Sequence, residues 1–322
     1  MRRVSSAFAL DAFDHRNAKS PRLADYLDIY ISHFGRDHRT RTNELLDFLA
    51  NPPDDRKIVY FGLSYRGTPC GFAVLMSFES EGIAVIDHLV IAPNSRGHGS
   101  FFVFTDLIAT YLEAKHLPIE YFVAEVVLDH DHAVSAIKPE MLMRLMRLVG
   151  FKVAKARYWA PDPLIMEDRN ACRAALMIAA QPERSRLPVP EFIRIVRLIF
   201  HRHYGDWYER ARPEVFEEYR KKTEAALADI ENLAGKERMI ILNGIKDSDA
   251  RIIVSHAPPP DLPVLGYILL LSIPAVVGAA VAFKQDLITA STAALITLIL
   301  LIICLCVPPL RRPLFRFFQL KE

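Results

Sequence analysis

The sequence predicts a mixed α/β domain built around one central sheet, followed by a helical hairpin that crosses a membrane. Three observations predict it. Strand-like and helix-like patterns alternate over the first 182 residues. The glycine-rich turn Arg96-Gly97-His98-Gly99 joins an apolar strand to a long apolar helix. Two charge-free stretches, 263–283 and 287–307, lie close to the end of the 322-residue chain.

Between Arg22 and Ala50 apolar residues recur at helical spacing, interrupted near Gly35, which predicts two helices. Residues 56–78 alternate as strands on either side of the turn signal Tyr65-Arg66-Gly67-Thr68-Pro69, and so predict a hairpin. A third strand reaches Pro93, and a helix runs from the glycine turn to about His116, with Pro118 beyond it. A strand over 119–128, a helix ended by Gly150, and two strands over 151–161 and 172–181 complete the domain.

Lys and Arg number 40 against 38 Asp and Glu, a formal net charge of +2, so bulk electrostatics excludes a nucleic-acid partner as the default. Cys70, Cys172, Cys304 and Cys306 have neither metal-ligand nor disulfide-framework spacing. The N-terminus lacks the apolar core of a secretory signal, and a reducing cytosolic setting is expected for the domain.

A glycine-rich turn exposes consecutive backbone amides, and the helix that follows presents the positive end of its dipole. Together they suit a pyrophosphate. Neither a P-loop lysine nor a dinucleotide fingerprint after the first strand is present. The order strand, Arg-Gly-His-Gly, long helix, strand, helix ending in Gly150-Phe151 and a closing strand pair resembles the GCN5-related N-acetyltransferase (GNAT) family, over roughly residues 20–182. The resemblance implies an acyl-CoA N-acyltransferase fold, acetyl-CoA or another acyl-CoA as cosubstrate, and an amine acceptor, with no metal. The family's Arg/Gln-x-x-Gly-x-Gly/Ala signature stands here as Arg96, Gly97, His98, Gly99, Ser100 and Phe101, so a phenylalanine replaces the last small residue. By position, the backbone of Leu89, Val90 and Ile91 would hold the thioester and pantetheine.

For the base, the resemblance points first to Glu125, placed as in ribosomal-protein acetyltransferases, and second to Asp87, nine residues before Arg96. On a regular strand His88 faces away from Asp87, so only one of the two could serve. The family's proton-donating tyrosine is replaced by Met146, which leaves Tyr158 and Tyr121 as substitutes. His130 falls where the family has an asparagine that contacts the cofactor, within the polar run 128–132. That run is dense in His and Asp but lacks further ligands at zinc spacing.

The domains expected are 1–182 for acyl transfer, a connector over 183–260, two transmembrane helices within 261–310, and a basic aromatic tail over 311–322. Twenty-one residues at 1.5 Å each span about 31 Å, a bilayer's hydrocarbon thickness. Arg311, Arg312, Arg316 and Lys321 follow the second span, so both the tail and the large domain are expected in the cytosol. In the connector, 190–205 reads as an amphipathic helix, either interfacial or packed on the core, and 213–234 as a surface helix with Glu217-Lys221 and Glu218-Lys222 pairs. Residues 238–254 suggest a hairpin, and homodimerisation through the connector is left open. The alternative to an enzyme is a degenerate fold that binds acyl-CoA or a partner at the membrane.

Overall fold

The computed structural model describes residues 7–33, 40–128, 137–161, 172–246 and 249. The chain divides into two compact units, Met1–His256 and Ala257–Glu322, and every described residue belongs to the first. The two apolar stretches, the basic tail and the expected strand 251–254 lie outside the described residues. Among the described residues no helix is long and apolar enough to cross a membrane.

The strands are β1 (Phe8–Phe13), β2 (Lys57–Tyr65), β3 (Thr68–Phe78), β4 (Ile83–Ile91), β5 (Tyr121–Val127), β6 (Lys152–Ala154), β7 (Tyr158–Ala160), β8 (Cys172–Ala180), β9 (Arg186–Pro188) and β10 (Met239–Asn243). The helices are α1 (Pro21–His33), α2 (Thr42–Ala50), α3 (Ser100–Ala114), α4 (Pro139–Leu148), α5 (Val189–Arg197), α6 (Asp206–Ala211) and α7 (Phe216–Ala234). The strands form one mixed sheet in the order β1-β2-β3-β4-β5-β8-β6-β10-β9, with β7 also paired to β8. The β2–β3 hairpin closes through Arg66 and Gly67, both at positive φ (51° and 80°), the backbone that a two-residue hairpin loop requires.

Alternation along the strands sends side chains to two cores. On one face, Tyr60, Phe72, Val85, Val123 and Leu176 pack with Tyr26 and Tyr30 of α1 and with Phe192, Ile195, Ile199 and Phe200. On the other, Phe61, Leu63, Leu75 and Met177 pack with Phe101, Phe104 and Ile108 of α3 and with Leu145 and Met146 of α4. Removing this apolar area from water is the main force holding both helical layers to the sheet.

Four differences from the sequence expectation have physical causes. Strand β1 was not expected; it adds an edge antiparallel to β2, from Phe8 opposite Tyr65 to Phe13 opposite Tyr60. The single strand expected over 151–161 is split into β6 and β7. Val153 lies opposite Met177 and Tyr158 opposite Ala174, so five steps on one strand face three on the other. The surplus bows out, and the Lys155 amide donates instead to the Ile241 carbonyl of β10 at 2.8 Å. Strand β10 pairs with β6 and β9, so residues read as connector extend the same sheet. On α7 the Glu218–Lys222 pair forms at 2.6 Å, whereas Glu217 takes Arg220 at 2.7 Å.

The amphipathic segment after Pro188 is the element that shapes the site. Helix α5 runs into a π-helical stretch, Leu198–Gly205, and then into α6. Phe192, Ile195, Val196, Ile199 and Phe200 are all buried, so of the two roles expected for this segment it takes the one packed on the core.

Candidate active site

Strands β4 and β5 run parallel and are in register from Ile83 opposite Tyr121 to Ile86 opposite Ala124. Beyond that point their pairings diverge. Strand β4 continues along β3 as far as Ile91 opposite Gly71, and β5 continues along β8 as far as Val127 opposite Ala174. The sheet therefore forks, and Asp87 and Glu125 are the first residues past the last shared position.

A bulge coincides with the fork. Val74 lies opposite His88 and Leu75 opposite Ile86, so Asp87 is the extra residue on β4. A bulge breaks the two-residue alternation and re-aims side chains. This overturns the expectation for His88, which turns to the same side as Asp87. Its Nε2 lies 3.3 Å from Asp87 Oδ2 and 3.3 Å from the Tyr30 hydroxyl of α1.

Glu125 is held by two phenols. Tyr158 of β7 donates to Oε1 at 2.5 Å, and Tyr204 of the π-helical stretch donates to Oε2 at 2.5 Å. Burial pushes the Glu125 carboxyl above the usual carboxylate range and Asp87 adds to the rise, while the two phenols and His203 pull the other way. Burial, together with the adjacent Glu125 charge, also pushes both phenols well above their ordinary value, so they keep their protons at neutral pH.

Asp87 is treated in the opposite way. Burial alone would raise it, but His88 and His203 beside it, with the hydrogen bond from His203, more than offset that and hold it at about 2. His203 Nε2 lies 3.2 Å from Asp87 Oδ1, and its Nδ1 lies 3.2 Å from the Met76 sulfur, so the Nε2–H tautomer donates to the carboxylate. Two carboxylates at one fork thus have their affinities for protons pushed apart. That separation suits Glu125 to accept a proton and Asp87 to remain a fixed anion.

The glycine turn lies at the end of β4. Residues Pro93–His98 make 3-10 turns, Gly99 adopts φ 72° in the left-handed region, and α3 begins at Ser100. Arg96 Nε donates to the Ile91 carbonyl at 2.9 Å and Ser100 Oγ to the Ser95 carbonyl at 2.7 Å, fixing the loop against the strand end. The first turn of a helix leaves its amides without intrahelical partners, which is the anion-binding feature read from the sequence. Phe101 points away from this turn. Only 9% exposed, it packs in the core between α3 and the sheet, edge-on to Phe102, so its bulk does not fill the seat beside the turn.

Leu89, Val90 and Ile91 lie on β4 past the bulge, where β5 has left the pairing. Met146, on α4, is buried in the core. Of the two substitute tyrosines, the structure brings Tyr158 to Glu125. Tyr121 lies at the other end of β5, bonded to Glu191 and to Arg184 Nη1. His130 and the rest of the 129–136 run lie outside the described residues; among the described residues no cluster of metal ligands occurs. Sequence reasoning missed His203 and Tyr204. The available signal was a run of polar and aromatic residues, His201-Arg202-His203-Tyr204, closing an otherwise apolar helix.

No protein-family model matches the sequence, and no curated protein matches it either. Among solved structures, the chain is similar to a protein assigned to the GNAT acetyltransferase family from Bacteroides thetaiotaomicron, at 13% identity and a TM-score of 0.43, over 60% of this chain and 96% of that one. It is also similar to spermidine N-acetyltransferase from Vibrio cholerae in complex with CoA and spermine, at 14% identity and a TM-score of 0.38, over 56% and 98%. A third is an acetyltransferase from Salmonella typhimurium that modifies the N-terminal serine of a ribosomal protein, at 14% identity and a TM-score of 0.40, over 55% and 96%.

Proposed function

We propose that this chain is an acyl-CoA-dependent N-acyltransferase of the GNAT type, tethered to a membrane by the apolar stretches 263–283 and 287–307, with its sheet domain in the cytosol. The observation that carries the reading is the fork between β4 and β5, with Glu125 at its mouth bonded to Tyr158 and Tyr204. Acyl-CoA supplies an activated thioester, and the amides at the start of α3 and past the bulge of β4 would hold its pyrophosphate and pantetheine. Glu125, with its raised proton affinity, takes the proton from the attacking amine. Tyr158 keeps its own proton at neutral pH and gives it to the departing thiolate, and Glu125 restores it along their existing hydrogen bond. The proton count closes, with one leaving nitrogen and one arriving at sulfur. Asp87 remains ionised, and its negative charge favours a protonated amine approaching the fork; such an amine first sheds its extra proton to water, and the proton count starts from the neutral amine.

A second reading is favoured by two specific observations: both oxygens of Glu125 are already engaged, and Met146 stands where the family has its tyrosine. On that reading the domain binds acyl-CoA without turning it over, and signals at the membrane. Two measurements separate the readings. Calorimetry with acetyl-CoA is expected to show binding by both the natural chain and Glu125→Gln. Thioester turnover with an amine panel is expected to fall about 10²- to 10⁴-fold in the variant. Binding without turnover in the natural chain would favour the second reading, and no binding would overturn both.

A further inference from the structure

We infer that the outer face of β9-β10-β6 is a docking surface for an anionic lipid bilayer; this rests on the membrane-tethered reading above. Ile240 and Leu242 of β10 are buried, whereas the alternate residues Met239 and Ile241 are 39% and 43% exposed, and Ile245 just beyond is 66% exposed. They are three of the four exposed large apolar side chains among the described residues. Ile241 lies opposite Arg186 of β9, and on its other side the Lys155 amide bonds its carbonyl, extending the β10–β6 register. Cross-strand partners share a face, so an exposed isoleucine is flanked on both strands by exposed cations. Exposed Lys246 follows Ile245, and nearby Glu183 is engaged by Lys152 at 2.7 Å.

Apolar side chains rimmed by Lys and Arg match the boundary between acyl chains and anionic headgroups better than they match water. The course of the chain points to the same partner. Thirteen residues, 250–262, and so fourteen backbone steps, lie between Asp249 and the charge-free stretch that begins at Pro263. Fully extended they span at most about 50 Å, so a bilayer entered at Pro263 stays within reach of this face.

The test uses the full chain reconstituted in nanodiscs of phosphatidylcholine and phosphatidylglycerol, with and without brominated acyl chains. Tryptophan introduced by Ile241→Trp reports from the proposed face, with Met239→Trp as a second reporter should the first perturb folding. Glu224→Trp on α7, which packs on the opposite core, is the control, and the signal of the natural tryptophans is subtracted. Bromolipid quenching at 241 or 239 is expected to exceed that at 224 by about two-fold or more, consistent with an interfacial depth of several ångströms. Adding Lys155→Glu and Arg186→Glu should abolish the difference. Equal quenching at both faces, in a chain that resists alkaline carbonate extraction, overturns the docking surface and leaves the tether intact. A chain stripped from the discs by carbonate overturns the tether and this surface with it.

Discussion

Replacing Tyr204 by phenylalanine removes one of the two phenol donors from Glu125 while keeping the ring that packs in the cluster. A hydrogen bond to a charged group contributes about 1.5–3 kcal/mol. One pKa unit corresponds to about 1.4 kcal/mol of preference between protonation states. The donor bonds the anion, so its loss disfavours ionisation by an energy of that order, and the midpoint of Glu125, already raised by burial, should climb further. Difference infrared spectroscopy of the protonated carboxyl reads this directly and needs no acceptor, with Glu125→Gln as the blank. Tyr158→Phe should shift the midpoint in the same direction. A midpoint unchanged in both variants would refute the claim that the phenols tune this carboxylate, and with it the proton relay.

Asp87 gives a stability signature of opposite sign. Its folded-state pKa is held at about 2, below the ordinary 3.8, so the stabilisation is present above pH 4 and drains away as pH falls towards 2. That interval corresponds to about 2.5 kcal/mol. Asp87→Asn should therefore lose roughly this much against the natural chain at pH 6 and little at pH 2 in denaturant titrations, whereas a gap constant with pH would contradict it. Glu125, raised rather than lowered, makes the fold less stable as pH rises above 4.5, and Glu125→Gln should flatten that decline. Gly99→Ala places a side chain at φ 72°. The expected cost is about 1–2 kcal/mol, seen as a lower melting temperature, with weaker acetyl-CoA binding by calorimetry.

The sequence made the parts of the fold with strong local patterns legible. The β2–β3 hairpin was announced by Arg66-Gly67, and α3 by the turn before it. Glu125 was singled out by its place in the family resemblance and Tyr158 by the closeness of its strand; the two strands, β5 and β7, both pair with β8. What stayed hidden depended on register. His88 turns towards Asp87 because one residue is inserted in β4, and a bulge leaves no mark in the alternation of Ile86, Asp87, His88 and Leu89. Tyr204 lies 79 residues beyond Glu125 and reaches it through a π-helical turn, whose wider winding rotates side chains away from where a 3.6-residue period places them. The fate of Phe101 was likewise a packing question, which the depth of the core beneath α3 decides.

The origin of Tyr204 has a temporal meaning. A nascent chain that has emerged through Ala180 already contains the residues of β1 through β8, Asp87, Glu125 and Tyr158 among them. His203 and Tyr204 are still inside the ribosome at that moment. The carboxylate cluster is complete only with the segment after Pro188 packed over the sheet, so the residues that tune its proton chemistry are synthesised after those of the strands that carry it.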